Sequence, residues 1–272
     1  MKHSIRNTFQ PGTRPAFLVL GPRTAANPSL RAIHCGRGYW PDFNLSMRQL
    51  PLSLFQTIFL TALLCFGSLS NSQAQSYKQF RFQSGDLLFQ DLDCGGLCDA
   101  IETVTTGVQG RHFSHIGLVY RRADSVFVIE AIGKDVHLTP LEKFLLRPTD
   151  KAQQPTVVVG RLKPAYQYLN KAAVRFALQQ MGTLYDDVFL YNNGKYYCSE
   201  LIYDAYKEAN HGRPFFSLRP MTFKDPATGN TFPVWTQYYQ DLHQPIPESK
   251  PGCNPGGIST SDKISIITSF YK

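Results

Sequence analysis

The 272-residue sequence lacks the features that define several protein classes. It contains no internal repeat and no low-complexity tract. Only 18% of its residues are charged, 43% are hydrophobic, and its 20 Gly and 18 Pro follow no period. This composition is that of a globular protein and excludes a disordered, collagen-like or coiled-coil chain.

Acidic residues are nearly absent from the first 74 positions, which contain one acidic residue, Asp42, and seven basic residues. The whole chain has 28 basic and 20 acidic residues and a formal net charge of +8. The remainder therefore carries 21 basic and 19 acidic residues and is close to neutral. A polyanion-binding surface on the folded part is not indicated, and we expect no nucleic-acid partner.

The segment 47–74 has the order of a secretory signal peptide. A basic start at Arg48 is followed by an apolar core over 58–66 and by small polar residues ending at Ala74. The apolar core is well short of the roughly 18 residues that span a bilayer, so we expect no lasting transmembrane anchor. The alternative is an uncleaved anchor. Cleavage after Ala74 predicts export to the periplasm or cell envelope.

The chain divides into a leader and one folded domain. Residues 1–46 show no periodic apolar pattern, and we interpret them as a mis-assigned extension that precedes a true start at Met47. Residues 76–272 alternate strand-like and helical patterns, which predicts one α+β domain. The predicted strands are 87–89, 114–120, 125–132, 135–138 and 156–160, and the predicted helices are 99–104, 140–146, 171–181 and 199–209, with loops and one or two strands after 214.

Four cysteines follow the signal segment: Cys94, Cys98, Cys198 and Cys253. An exported protein can form disulfides, and Cys94 and Cys98 are close enough either to bridge or to pack together. A metal site formed by these two thiols with His112 and His115 is the alternative. It lacks a second close thiolate pair, and we expect no metal and no cofactor.

A hairpin predicts a contact between a histidine and a carboxylate. If 121–124 form a four-residue loop, Tyr120 pairs with Ser125, and His115 lies opposite Glu130 on the same face, with Cβ atoms about 5 Å apart. Such a carboxylate can orient the imidazole and stabilise its charged form. The alternative is a surface ion pair of little energetic consequence. A shift by one residue would separate the two side chains.

The predicted helix 199–209 has a cysteine at its start. Cys198, Ile202 and Ala205 share one face, so the thiol points toward the packed side. Unpaired N–H groups and the helix macrodipole favour a thiolate at this position. A neighbouring imidazole would complete its activation as a nucleophile. The alternative is a small buried core thiol.

Five short motifs resemble one enzyme family: SGDLLF at 84–89, FSHIGLVY at 113–120, VIEA at 128–131, LYD at 184–186 and YYCSELIY at 196–203. In this order they resemble the circularly permuted NlpC-type cysteine hydrolases of the YiiX-like family, within the papain-like superfamily. The histidine precedes the cysteine here, as in the permuted branch. The resemblance implies a permuted papain-like α+β fold in which an antiparallel sheet packs against helices.

The resemblance also implies roles for individual residues. Cys198 matches the nucleophile, His115 the general base and Glu130 the residue that orients it. Tyr185 and Asp186 match a motif near the family's cleft, and with Tyr197 they are the expected substrate-binding residues, although Tyr185 is equally explained as a structural tyrosine. The backbone N–H of Cys198 is the expected oxyanion donor.

Three functions follow as expectations. The first is an exported cysteine amidase or peptidase that acts on cell-wall (peptidoglycan) peptides without a metal or organic cofactor. The second is a lipid acyl hydrolase or acyltransferase of the lecithin:retinol acyltransferase type with the same triad. The third is a catalytically silent module that binds the cell envelope. The sequence does not indicate an oligomeric state.

Overall fold

A six-stranded antiparallel sheet organises the residues that the computed structural model describes, which are 77–92, 94–147 and 154–270. The strands lie in the order β4-β3-β2-β1-β5-β8, and a two-stranded ribbon joins β6 to β7. Their bounds are Leu87–Gln90 for β1, His115–Arg122 for β2, Ser125–Ile132 for β3, Asp135–Pro140 for β4, Val157–Leu162 for β5, Arg219–Pro220 for β6, Pro251–Gly252 for β7 and Ile264–Ser269 for β8.

Six α-helices accompany the strands in the described part of the chain. They are α1 (Gly96–Thr103), α2 (Leu141–Leu145), α3 (Asn170–Gln179), α4 (Cys198–Ala209), α5 (Pro233–Asp241) and α6 (Pro255–Ser259). In the ranges described, none of these helices has the length and apolar character that crossing a membrane requires. The predicted extension 1–46 and signal peptide 47–74 lie outside the described residues.

Alternation along the strands gives the sheet two apolar faces. Leu87, Phe89 and Leu118 point toward a core that they share with α3 and α4. Leu88 and Val119 point the other way and pack with the buried residues of α2. This two-sided burial follows from the period of two along each strand. The predicted α+β fold with an antiparallel sheet is confirmed.

The chain beyond residue 214 contains helices as well as the predicted loops and strands. Helix α5 was missed because its short sequence is rich in aromatic and polar residues and has no long apolar period. Its signal was Pro233 at the first helical position, where a missing N–H costs nothing. Trp235 and Tyr239, one helical turn apart, bury their rings against Phe223 and fix the helix.

Candidate active site

Cys198 is the first residue of α4. Tyr197 before it is extended (φ −89°, ψ 168°), and no side chain in the described residues caps the helix. The N–H groups of the first turn therefore lack intrahelical acceptors and can stabilise an anion. The cysteine is 6% exposed and lines a cleft of about 140 Å³. The predicted position of the thiol at the helix start is confirmed.

The hairpin of β2 and β3 has a different register from the one predicted. Arg122 pairs with Ser125, so the loop has two residues rather than four. The prediction that His115 lies directly opposite Glu130 is therefore wrong. The turn contains Ala123 with φ of +50°, a left-handed conformation that the sequence does not signal, because Gly, Asn and Asp are the usual residues in such turns.

The contact between His115 and Glu130 is nevertheless present. The register differs from the prediction by two residues, and a shift of two leaves every side chain on its face. Continued by one pair, the observed register places Gly117 opposite Glu130 and makes His115 its diagonal neighbour. A side chain at Gly117 would collide with Val128 and Phe144. His115 Nε2 lies 2.7 Å from Glu130 Oε2.

Glu130 is fully buried, and both of its carboxylate oxygens are hydrogen-bonded. Thr139 donates its hydroxyl to Oε1. Arg147 donates to Oε2 at 3.0 Å and to Oε1 at 2.6 Å. Burial alone would raise the pKa of Glu130, but hydrogen bonds and charge from His115 and Arg147 outweigh it and hold the pKa well below its usual range. Glu130 is therefore a carboxylate at neutral pH.

His115 connects this carboxylate to the thiol. Burial favours the neutral ring, but hydrogen bonds to the Cys198 and Glu130 side chains, with their charges, outweigh burial and raise the pKa of His115 to about 9. Because Nε2 is engaged by Glu130, Nδ1 is the nitrogen left for Cys198. At neutral pH the ring is therefore an imidazolium that is hydrogen-bonded to Glu130. The influence of both Glu130 and Cys198 on its pKa indicates that the three predicted catalytic side chains lie together.

The cleft beside Cys198 is lined mainly by apolar and aromatic side chains. Tyr185 and Tyr197, two of the predicted substrate-binding residues, are among them, and Arg219 is the charged side chain of the described lining. Burial raises the pKa of Tyr185 well above its usual value, with nearby Cys198 adding to the effect, so its hydroxyl remains a donor. Other lining residues are Ile101, Val104, Phe189, Met221, Phe223, Trp235, Cys253 and Asn254.

Asp186 does not line the cleft but shapes its wall. Its buried carboxylate accepts the N–H groups of Val188 at 3.1 Å and Leu190 at 2.7 Å. Between them Phe189 has φ of +54°, which is costly for a bulky residue and needs support from its surroundings. The Phe189 ring meets that of Tyr197 edge-on at 5.6 Å. Asp186 thus holds an aromatic wall in place.

Cys253 is a second free, buried thiol on the same cleft. Its N–H donates to the Tyr197 hydroxyl at 3.2 Å, and its carbonyl accepts from the Ser199 hydroxyl at 2.9 Å. Its backbone is therefore tied to both neighbours of Cys198. Burial raises the pKa of Cys253 well above its usual value, so this thiol is protonated at neutral pH.

The remaining cysteine pair forms a disulfide between Cys94 and Cys98, next to and within α1. The bond uses both thiols that the alternative metal site with His112 and His115 required. Across residues 77–92, 94–147 and 154–270, no group of three or more His, Cys, Asp or Glu side chains could hold a metal ion.

Sequence reasoning missed four residues that build the site. Thr139 lies just beyond the predicted end of its strand, which extends to Pro140. Arg147 falls outside every motif, and no local pattern connects it to Glu130. Phe189 depends on an unusual backbone conformation that its sequence does not signal. Cys253 lies in a Pro/Gly-rich stretch, and no local pattern connects it to Cys198.

Comparison with known proteins identifies the family to which this geometry corresponds. The family model described as "Permuted papain-like amidase enzyme, YaeF/YiiX, C92 family" matches residues 81–268. That range includes Cys198, His115 and Glu130 and all the residues that line the cleft.

Two relatives come from Escherichia coli. The uncharacterized protein YiiX of strain K12 is 28% identical over 127 residues, which cover 47% of this chain and 58% of that protein. The match thus spans little more than half of the relative's length. A crystal structure titled as the metalloprotein YiiX of strain O157:H7 is similar with a TM-score of 0.56 and 20% identity, and covers 71% of this chain and all of that one. This second likeness concerns the fold alone.

Proposed function

This chain belongs to the permuted papain-like amidase family, and we propose that it is an exported cysteine amidase or peptidase whose catalytic residues are Cys198, His115 and Glu130. The observation that carries the proposal is the hydrogen bond between a buried carboxylate and an imidazolium whose pKa is also raised by a thiol at a helix start. This thiol lines a cleft that can hold a substrate.

The geometry supports a two-step reaction. The Cys198 thiolate attacks the carbonyl carbon, and backbone N–H groups in the first turn of α4 stabilise the resulting oxyanion. The imidazolium of His115 gives its Nδ1 proton to the leaving nitrogen, the C–N bond breaks, and a thioester remains on Cys198. Neutral His115 then takes a proton from water as it attacks the thioester, and the acid product leaves.

The proposed substrate is a cell-wall (peptidoglycan) peptide. The resemblance to NlpC-type cysteine hydrolases and the signal-like segment 47–74 support this choice and the proposed site of action in the periplasm or cell envelope. Arg219, the charged group of the described lining, suits a substrate carboxylate. Tyr185 and Tyr197 would contact the substrate, and Asp186 would contribute through the wall that it holds.

A second candidate is hydrolysis of an acyl ester or acyl amide of a lipid. The aromatic and aliphatic lining of the cleft, with Phe189, Phe223 and Trp235, favours an apolar acyl group. The same three catalytic residues serve this reaction, because thiolate attack on an ester follows the same course.

One experiment tests both candidates. The chain from Ser76 onward is incubated separately with purified peptidoglycan and with phospholipid vesicles, and products are identified by mass spectrometry. Released peptides support the first candidate, and released fatty acid supports the second. Cys198→Ala is the control that must lose either product. An absence of product together with a Cys198 that iodoacetamide does not modify at neutral pH would leave the silent binding module.

A further inference from the structure

Arg147 makes a two-pronged contact with the buried carboxylate of the triad. It follows α2, and its guanidinium donates to Glu130 Oε2 at 3.0 Å and to Oε1 at 2.6 Å. The Arg147 side chain is 27% exposed, whereas that of Glu130 is fully buried. The guanidinium also lies over the Phe144 ring, 5.4 Å from its centre. A planar fork paired with a carboxylate fixes both the position and the rotation of that carboxylate.

The contact completes an alternation of charge through the site. With Cys198 as the thiolate that the proposed mechanism requires, the charges of Cys198, His115, Glu130 and Arg147 alternate and sum to zero. Without Arg147 the same buried group carries one uncompensated negative charge. Removal of one partner from a buried ionic group is strongly unfavourable, because the remaining charge stays out of water.

Other groups around Glu130 do not substitute for this cation. On β2 the charged neighbour is His115, and on β4 Thr139 supplies a neutral hydroxyl. His137, opposite Glu130 in the β4 register, turns its ring to Asp135 instead. On β1, Gln90 donates to the Phe144 carbonyl. The α2 residues Glu142 and Lys143 are both exposed.

We propose that Arg147 is a positioning residue that keeps Glu130 ionised and oriented, and that it thereby sets the pH range in which Cys198 is a nucleophile. The proposal rests on the assignment of Cys198, His115 and Glu130 as catalytic residues. Arg147 acts only through Glu130 and does not line the cleft.

The direction of the effect follows from linkage. Loss of Arg147 raises the pKa of Glu130 and frees its carboxylate to rotate, so its hold on the imidazolium weakens. The pKa of His115 then falls from about 9 toward its ordinary value. A less stable imidazolium makes the neighbouring thiolate harder to form, so the alkylation of Cys198 requires a higher pH.

The test measures the rate of Cys198 alkylation by iodoacetamide between pH 5 and 9 in the folded protein, and so does not depend on a known substrate. We expect Arg147→Met to move the midpoint of this profile upward by about one pH unit, which lowers the alkylation rate about tenfold on the acid side. Arg147→Lys, which keeps the charge but not the fork, should move it in the same direction by less. This second variant decides the question if Arg147→Met does not fold.

Two controls separate this role from a merely structural one. In a Glu130→Gln background, Arg147→Lys should cause no further shift, because the residue through which it acts is already changed. Arg161 forms a similar fork on buried Asp86 at 2.6 and 2.8 Å, and neither residue lines the cleft. Arg161→Lys should lower the free energy of unfolding without moving the alkylation midpoint.

The outcomes distinguish the two levels of inference. A wild-type profile in the Arg147 variants, or a shift that persists undiminished with Glu130→Gln, overturns the role of Arg147 alone. If neither His115→Ala nor Glu130→Gln alters the profile, the proposed catalytic group itself fails.

Discussion

Glu200 lies two residues after Cys198, yet its carboxyl is turned away from the chemistry. It is fully buried, Oε1 accepts the N–H of Asn192 at 2.7 Å, and Oε2 has no hydrogen-bond partner in the described structure. Burial, with the nearby carboxylates of Asp204 and Asp186, raises the pKa of Glu200 to about 8. The native protein therefore holds a proton at Glu200 at pH 7 that the unfolded chain has released.

This difference makes the free energy of unfolding depend on pH. The pKa of Glu200 in the folded protein is raised from 4.5. Its contribution to the free energy of unfolding is therefore fully present below pH 4.5 and is lost as the pH rises toward about 8. By linkage, the loss between pH 4.5 and 7 is about 3 kcal/mol. Glu200→Gln preserves the shape and the acceptor for Asn192 but does not titrate. The variant should therefore gain stability over wild type by about 3 kcal/mol across that interval.

Urea denaturation at pH 4.5, 6, 7 and 8 measures the effect. The amide group of the variant adds a penalty that does not change with pH, so the test is the growth of the difference and not its value at one pH. Glu208→Gln, at an exposed position on the same helix, is the matched control. Parallel curves for wild type and Glu200→Gln would refute the reasoning.

Four further outcomes are expected. Cys198→Ala should abolish amide hydrolysis and leave the urea transition in place, so loss of the transition would contradict a purely chemical role. His115→Ala should lower kcat/KM by about 10²–10⁴-fold, and Glu130→Gln should lower it less, because an amide still orients the ring; equal losses in steady-state kinetics would oppose this order. Iodoacetamide should modify Cys198 well before Cys253, whose pKa burial raises, and comparable labelling in peptide maps would argue against an activated thiolate. Asp186→Ala should raise KM more than it lowers kcat, because it releases the cleft wall, and the opposite split would place Asp186 in the chemistry.

Local patterns were sufficient to predict the two strands and the helix that carry His115, Glu130 and Cys198. The alternation over 125–132 predicted β3 with its observed bounds, and the helical face of 199–209 predicted α4 to within one residue. The contact between His115 and Glu130 was also predicted, although from a wrong loop length. The predicted contact is correct in spite of this error because side chains alternate between the two faces of a strand. A register error of one residue would move each side chain to the other face, whereas the actual error of two residues leaves it on its face.

The walls of the cleft could not be predicted in the same way. Phe189 reaches its position through a left-handed backbone conformation that hydrogen bonds from both flanking residues to the buried carboxylate of Asp186 support. The two hydrogen bonds of Asp186 are local in sequence. The LYD motif alone, however, does not reveal whether the Asp186 carboxylate contacts the substrate or accepts hydrogen bonds from its own backbone. Burial decides between these alternatives, and burial depends on α5, which the sequence pattern did not predict.

The cation behind the triad shows the limit of reasoning from residue types. A fully buried glutamate that serves an imidazolium needs compensation, so a partner for Glu130 could be expected on physical grounds. The chain has 28 basic residues, and nothing in local period or motif singles out one of them. Arg147 is chosen because β4 and the short helix α2 return the chain to the end of β3, 17 residues after Glu130. The charge on the proposed catalytic group is thus set by the path of the backbone, and the sequence shows that path only after the strands have been paired.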